Sequence, residues 1–105
     1  SDYRQVFTAT EARAGRSEFL MLARHNSLPQ HRLGLAVAKK HIRGAVKRNL
    51  IKRLAREQFR RLANTSPSLD VVILTRPGAR LADREQLARA INELFLRLGL
   101  ERRDP

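Results

Sequence analysis

The sequence predicts an α+β fold, a two-layer α/β sandwich in one small domain. Three observations lead there. Residues 70–76 (DVVILTR) hold a continuous apolar run, the pattern of a strand buried on both faces. Residues 45–62 and 83–98 carry apolar side chains at helical spacing. Residues 19–24 (FLMLAR) and 33–39 (LGLAVAK) are shorter apolar runs that read as strands. With 105 residues, the chain is one domain, 1–105, long enough to bury a modest core.

Taken in order, residues 2–7 look like the end of a helix, with Tyr3 and Phe7 four apart on one face. Residues 8–16 are weakly patterned, with room for a short strand. The runs 19–24 and 33–39 are expected to pair as a hairpin across a loop containing Leu28-Pro29-Gln30-His31. Residues 45–62 lack Gly and Pro and are rich in Leu, Arg, Lys and Ala, so a helix is expected after Gly44. A loop (Asn64-Thr65-Ser66-Pro67-Ser68) precedes the strand at 70–76, and Arg76-Pro77-Gly78 turns the chain. Asp83 is placed to cap a last helix that stops at Gly99. The expected order is α-β-β-β-α-β-α.

Charge is concentrated. Residues 39–61 hold ten basic residues and one acid, Glu57, in a chain of 22 basic and 10 acidic residues. On a helical wheel, Leu50, Ile51, Leu54, Ala55, Gln58 and Leu62 fall in one sector. Arg48, Asn49, Lys52, Arg53, Arg56 and Arg60 fall in the other. Phe59 lies at the boundary. Lys47 and Arg61 fall in the apolar sector, near enough to the ends to snorkel out. A solvated helix face mixes signs at i,i+4. Here Arg48, Lys52, Arg56 and Arg60 stack like charges, which a covering polyanion would relieve. Eighteen of the 22 basic residues are Arg, whose fork suits phosphate.

Other classes fit less well. No cysteine is present, which excludes disulfides and thiolate metal sites and fits a reducing, cytoplasmic compartment. No run approaches membrane-spanning length. The basic helix carries Leu, Ile and Ala sized for a core, not the large aromatics of a membrane-surface helix. The first residue is Ser1, so the natural start is expected upstream. His25, His31 and His41 show no metal-ligand spacing, and no nucleophile elbow or phosphate loop appears. Neither a catalytic nor a metal site is therefore expected. The residues leave two readings, a non-catalytic nucleic-acid-binding protein and a small basic nuclease centred on His41. For Tyr3 and Phe7 the residues favour a core stripe over the alternative, a platform for unpaired bases.

The run RLGLAVAKKHIRGAVKRNLIKRLAREQFR closely resembles the protein subunit of bacterial ribonuclease P. DYRQVF resembles that family's aromatic-x-x-x-aromatic first helix, and DVVILTRPG its last strand. The resemblance implies a fold similar to one ribosomal-protein domain, with a left-handed crossover through the basic helix, against the usual rule. It implies a single RNA-binding domain that assists a catalytic RNA in removing the 5′ leader of precursor tRNA, by stabilising the RNA fold and holding the leader. The implied partners are the catalytic RNA and precursor tRNA, with no membrane and no small-molecule substrate. Magnesium would act with the RNA, and the protein would bind no cofactor of its own. By position, Lys39, Lys40, Arg48, Asn49, Lys52, Arg53, Arg56 and Arg60 would meet RNA, and Tyr3 and Phe7 would hold the leader. One departure is plain: the family's Arg-Asn-Arg reads Arg48-Asn49-Leu50 here.

Overall fold

The apolar run at 70–76 becomes the strand around which the sheet is ordered. The structure, a computed structural model, describes residues 12–65 and 67–103. The expected first helix, with Tyr3 and Phe7, lies outside the described residues. The elements are β1 (Ala12–Gly15), β2 (Phe19–His25), β3 (Arg32–Ala36), α1 (Ala45–Arg60), β4 (Leu69–Thr75), a 3-10 turn (Pro77–Ala79) and α2 (Arg84–Arg97). The four strands form one sheet in the order β1-β2-β4-β3.

The expected hairpin between residues 19–24 and 33–39 does not form. β4 lies between β2 and β3, antiparallel to the first (Met21 beside Ile73) and parallel to the second (Leu35 beside Ile73). The reason is burial. Val71, Val72 and Ile73 are each 1–2 % exposed, so β4 needs cover on both faces and a neighbour on each edge. A buried carboxylate fixes the arrangement. Asp70 Oδ1 accepts from Arg32 Nε of β3 at 2.7 Å and from Asn26 Nδ2, just past β2, at 2.9 Å. Arg32 Nη2 donates to Asp70 Oδ2 at 2.6 Å, completing a bidentate pair.

Parallel pairing of β3 with β4 requires a crossover, and α1 supplies it. β3 ends at Ala36, three residues short of the expected end. The chain then turns: His41 and Ile42 N–H both reach the Ala38 carbonyl, and Ala38 N–H donates to Thr75 Oγ1 at 3.0 Å. Lys39 and Lys40 therefore stand on an exposed turn rather than at a strand end.

The core lies between the sheet and both helices. Phe19, Met21, Ala23, Val71 and Ile73 face Ile51, Leu54 and Ala55 of α1 and Leu87, Ile91, Leu94 and Phe95 of α2. Phe59 meets Phe95 at 6.3 Å between ring centroids and 51° between planes. Leu22 and Val72 form a smaller cluster with Leu20 and Leu74 on the opposite face. His31, 6 % exposed, ties β3 to the loop after α1. It accepts from Leu69 N–H at Nδ1 (2.9 Å), so Nε2 carries the proton and donates to the Ala63 carbonyl (3.2 Å).

α2 begins as the sequence indicates. Asp83 accepts from Gln86 N–H, and Gln86 Oε1 accepts from Asp83 N–H, a full capping box. At its end Gly99 adopts φ +86°, a conformation that disfavours any side chain. The tail then returns to the end of α1. Leu62 bridges Arg102, Ala63 N–H donates to the Glu101 carbonyl (2.7 Å), and Arg103 N–H to the Arg61 carbonyl (2.7 Å). This return was not foreseen from the sequence, because a short bridge carries no periodic signal.

Hydrogen bonds from Arg32, aided by Asn26, hold the Asp70 carboxyl below its usual pKa against the opposing effect of burial. The bound anion therefore stabilises the fold fully above the unfolded carboxyl's pKa. That stability is lost as pH falls through the lower folded value. Asp70→Asn is expected to cost about 1–3 kcal/mol at neutral pH. Thermal melts should show the gap to the unsubstituted protein narrowing on acidification through pH ~4.

Candidate nucleic-acid interface

α1 is held by its apolar face and leaves its cationic face in solvent. Ile51, Leu54 and Ala55 are buried, while Asn49, Arg53, Arg56 and Arg60 are exposed. Arg48 and Lys52 are half-buried on the flank, because Phe59 draws that side of the helix toward α2. The exposed stripe is thus narrower than the wheel suggests and centres on Arg53 and Arg56. Asn49, Lys52, Arg53, Arg56, Glu57 and Arg60 line a shallow groove along it. Leu50, which stands where the family has Arg, is half-buried and packs against the core. Its side chain belongs to the folding face, so this departure leaves the cationic face intact.

Two of the helix's cations also hold the fold. Arg48 Nη1 donates to the carbonyls of Ile42 (3.0 Å) and Arg43 (2.5 Å), fastening the lead-in turn to the first turn of α1. Lys47, on the apolar side, extends out to the Arg80 carbonyl at 2.5 Å. Arg48 thus has Nη1 committed to the protein, and the rest of its fork is what can meet a phosphate. A side chain reaching back five or six residues leaves no mark in helical periodicity. Gly44 gives α1 no side-chain cap, and its first turn has no acid. Acids there would stabilise the helix, so their absence leaves the N-terminal end favourable to anions.

The ion pairs seen among the described residues are Arg16 with Glu18 and Glu93, and Arg32 with Asp70. None involves Lys39, Lys40, Lys52, Arg53, Arg56 or Arg60. Glu57 is the one acid on α1, and its carboxylate makes no ion pair among the described residues. The face is therefore a run of uncompensated cations on a rigid support, which phosphates can neutralise with little rearrangement.

A second depression opens where β3 leaves the sheet. It is lined by Ala36, Val37, Ala38, Lys40, His41, Leu74 and Thr75. Its floor is mostly apolar, with Lys40 at the rim. Thr75 organises it, accepting from Ala38 N–H and lying 3.4 Å from His41 Nδ1. Thr75 was missed in the sequence, where it reads as the polar end of a buried strand. The arrangement brings Lys40 beside His41 and away from the Arg53–Arg56 stripe. His41 is bonded to a hydroxyl, and no carboxylate is paired with it among the described residues. Nor do the described residues include a cluster of three or more His, Asp or Glu placed to hold a metal. No described helix is long and apolar enough to cross a membrane.

Comparison with known proteins bears on this geometry. The family model for ribonuclease P matches residues 1–99. The ribonuclease P protein component of Aliivibrio salmonicida is 42% identical over 98 residues, spanning 93% of this chain and 83% of the relative. That of Yersinia enterocolitica is 46% identical over 85 residues, 81% and 71% of the two chains. Among solved structures, the RNase P protein of Staphylococcus aureus matches with a TM-score of 0.78. At 23% identity, over 93% of this chain and 88% of that one, it speaks to fold alone. The RNase P protein from Thermotoga maritima gives 0.67 at 27% identity, over 88% and 90%. A family match across residues 1–99, joined to these relatives, means that the chain belongs to the ribonuclease P protein family.

Proposed function

We propose that this chain is the RNA-binding subunit of a ribonuclease P ribonucleoprotein, acting with the catalytic RNA in 5′-leader removal from precursor tRNA. The observation that carries the reading is the α1 face, with exposed Asn49, Arg53, Arg56 and Arg60 and no ion pair to a protein acid among the described residues. Phosphate contacts from such a face fix position and orientation without reading sequence. Lys52 and the free part of Arg48 extend it, and Lys39 and Lys40 offer further cations on the turn after β3. In this division of labour magnesium acts with the RNA, and the protein supports the RNA fold and holds the substrate. Tyr3 and Phe7 hold the leader by stacking, which tolerates varied sequence because every base has a π-face. The cytoplasm is the compartment that a cysteine-free RNA-processing subunit fits.

Binding to structured RNA is expected to weaken steeply with salt. Arg53→Ala and Arg56→Ala should each reduce the slope of log affinity against log salt by about one unit. An unchanged slope in the double variant would remove this face from the RNA surface.

The protein alone with magnesium is expected not to cleave precursor tRNA. Cleavage abolished by His41→Ala would restore the reading as a stand-alone nuclease.

Tyr3→Ala and Phe7→Ala are expected to weaken holoenzyme binding of leader-bearing tRNA, with mature tRNA little affected. The loss of one base stack is about 1–3 kcal/mol, or roughly five- to 150-fold in affinity. An equal loss for both substrates, with a lowered melting temperature, would instead identify these aromatics as core.

A further inference from the structure

We propose that the tail after α2 carries a second RNA-phosphate contact, formed by Arg61, Arg102 and Arg103 at the C-terminal end of α1. The proposal rests on the reading of the chain as an RNA-binding subunit and adds a surface outside α1 to it.

The tail is placed by the fold. Leu62 and Leu100 are 6 % and 2 % exposed and anchor the two segments in the core. Between these anchors and the tail's end, backbone bonds join Ala63 to Glu101 and Arg103 to Arg61. Antiparallel pairing sets the two segments about 5 Å apart. Arg61 and the tail's Arg102 and Arg103, far apart in sequence, are thereby gathered at the C-terminal end of α1, and with Arg60 all four are exposed.

Their acceptors within the protein are neutral. Arg102 Nη2 donates to Gln58 Oε1 at 2.7 Å, and Arg103 Nη2 to the Arg60 carbonyl at 2.5 Å. The Arg61 guanidinium makes no hydrogen bond or ion pair among the described residues. A neutral acceptor orients a guanidinium without cancelling its charge. Glu101, the acid that precedes Arg102, is exposed and joins no ion pair among the described residues.

Helix capping accounts for part of this arrangement. Cations near a helix C-terminus offset its partial negative charge, and Arg103 with Arg60 already meets that need. Arg61 and Arg102 remain as charges that capping does not require. They stand at the C-terminal end of α1, past Arg60, where a phosphate backbone leaving the α1 groove at Arg60 can meet them.

The test uses the full chain and an in-vitro-transcribed bacterial ribonuclease P RNA, with affinity measured across potassium chloride concentrations. Arg61→Gln with Arg102→Gln should lower the log–log salt slope by roughly two units. Arg61→Lys with Arg102→Lys should keep it, because charge is retained. Arg53→Gln with Arg56→Gln is measured in parallel. A slope unchanged by the Arg61/Arg102 pair but lowered by the Arg53/Arg56 pair would overturn the tail contact and leave the α1 surface standing. A slope unchanged by both pairs would remove both surfaces. A lower melting temperature in the Gln pair, with the slope intact below the melt, would reduce the tail to a helix cap and overturn the proposal.

Discussion

The two-sided burial of β4 is the constraint from which the rest of the architecture follows. A strand with Val71, Val72 and Ile73 all buried cannot lie at an edge. It lies between β2 and β3 and pairs parallel with β3, and parallel neighbours must be joined by a crossover. The chain between β3 and β4 is the basic segment. The crossover thus lays α1 on the sheet with Ile51, Leu54 and Ala55 beneath and Asn49, Arg53, Arg56 and Arg60 above. The sheet's packing requirement and the exposure of the cationic face are two consequences of one connection.

Holding like charges at i,i+4 on that helix opposes its own stability, and the structure shows what offsets the repulsion. In isolation such a helix would be marginal. Here its apolar side is buried against α2 and β3, and each buried large aliphatic side chain contributes about 1.5–3 kcal/mol. The i,i+4 repulsion among exposed charges is a few tenths of a kcal/mol per pair. Burial wins by a wide margin, so the helix is ordered by its core contacts and its charge remains available to a partner. Leu50 belongs to this balance: in place of an arginine it adds to the packing side and removes one repelling charge.

Much of this was legible in the chain. The helix starts after Gly44 and Gly99 follows its partner's end, because backbone permissiveness and capping are local properties. The Asp83–Gln86 box is likewise a four-residue matter. The apolar run at 70–76 announced a fully buried strand. Pairing was less legible. A short apolar run does not state which neighbour it will take, and β2 with β3 looked like the simplest hairpin. The deciding residue was Asp70, whose buried carboxylate engages Arg32 and Asn26 across 38 and 44 positions of sequence. No local pattern encodes such a contact. The same holds for Arg48, which faces outward on a wheel yet spends one nitrogen on the carbonyls of residues 42 and 43. Within the candidate site, the charge stripe could be read from spacing, but the share of each cation committed to the fold could not.

The arginines in fact divide into two populations, and the division bears on how a chain of net charge +12 folds and then binds. One population is tied to the protein. Arg32 grips Asp70, Arg97 Nη1 reaches the Gly15 carbonyl at 2.9 Å, and Arg76 Nη1 reaches the Arg16 carbonyl at 3.1 Å. The first bond joins β3 to β4 and the other two fasten β1 and the β1–β2 turn to the rest of the domain, so breaking them would loosen the sheet. The other population, Arg53, Arg56 and Arg61, forms no ion pair among the described residues. Its mutual repulsion is lowest when phosphates lie among the guanidinium groups. Salt therefore acts on different arginines than unfolding does. Screening weakens the exposed set within a Debye length of solvent, about 8–10 Å at physiological salt, while the bonded set is shielded by its own acceptors. The exposed cations and the residues that hold the strands together are thus largely separate, so screening the first set leaves the bonds of the fold in place.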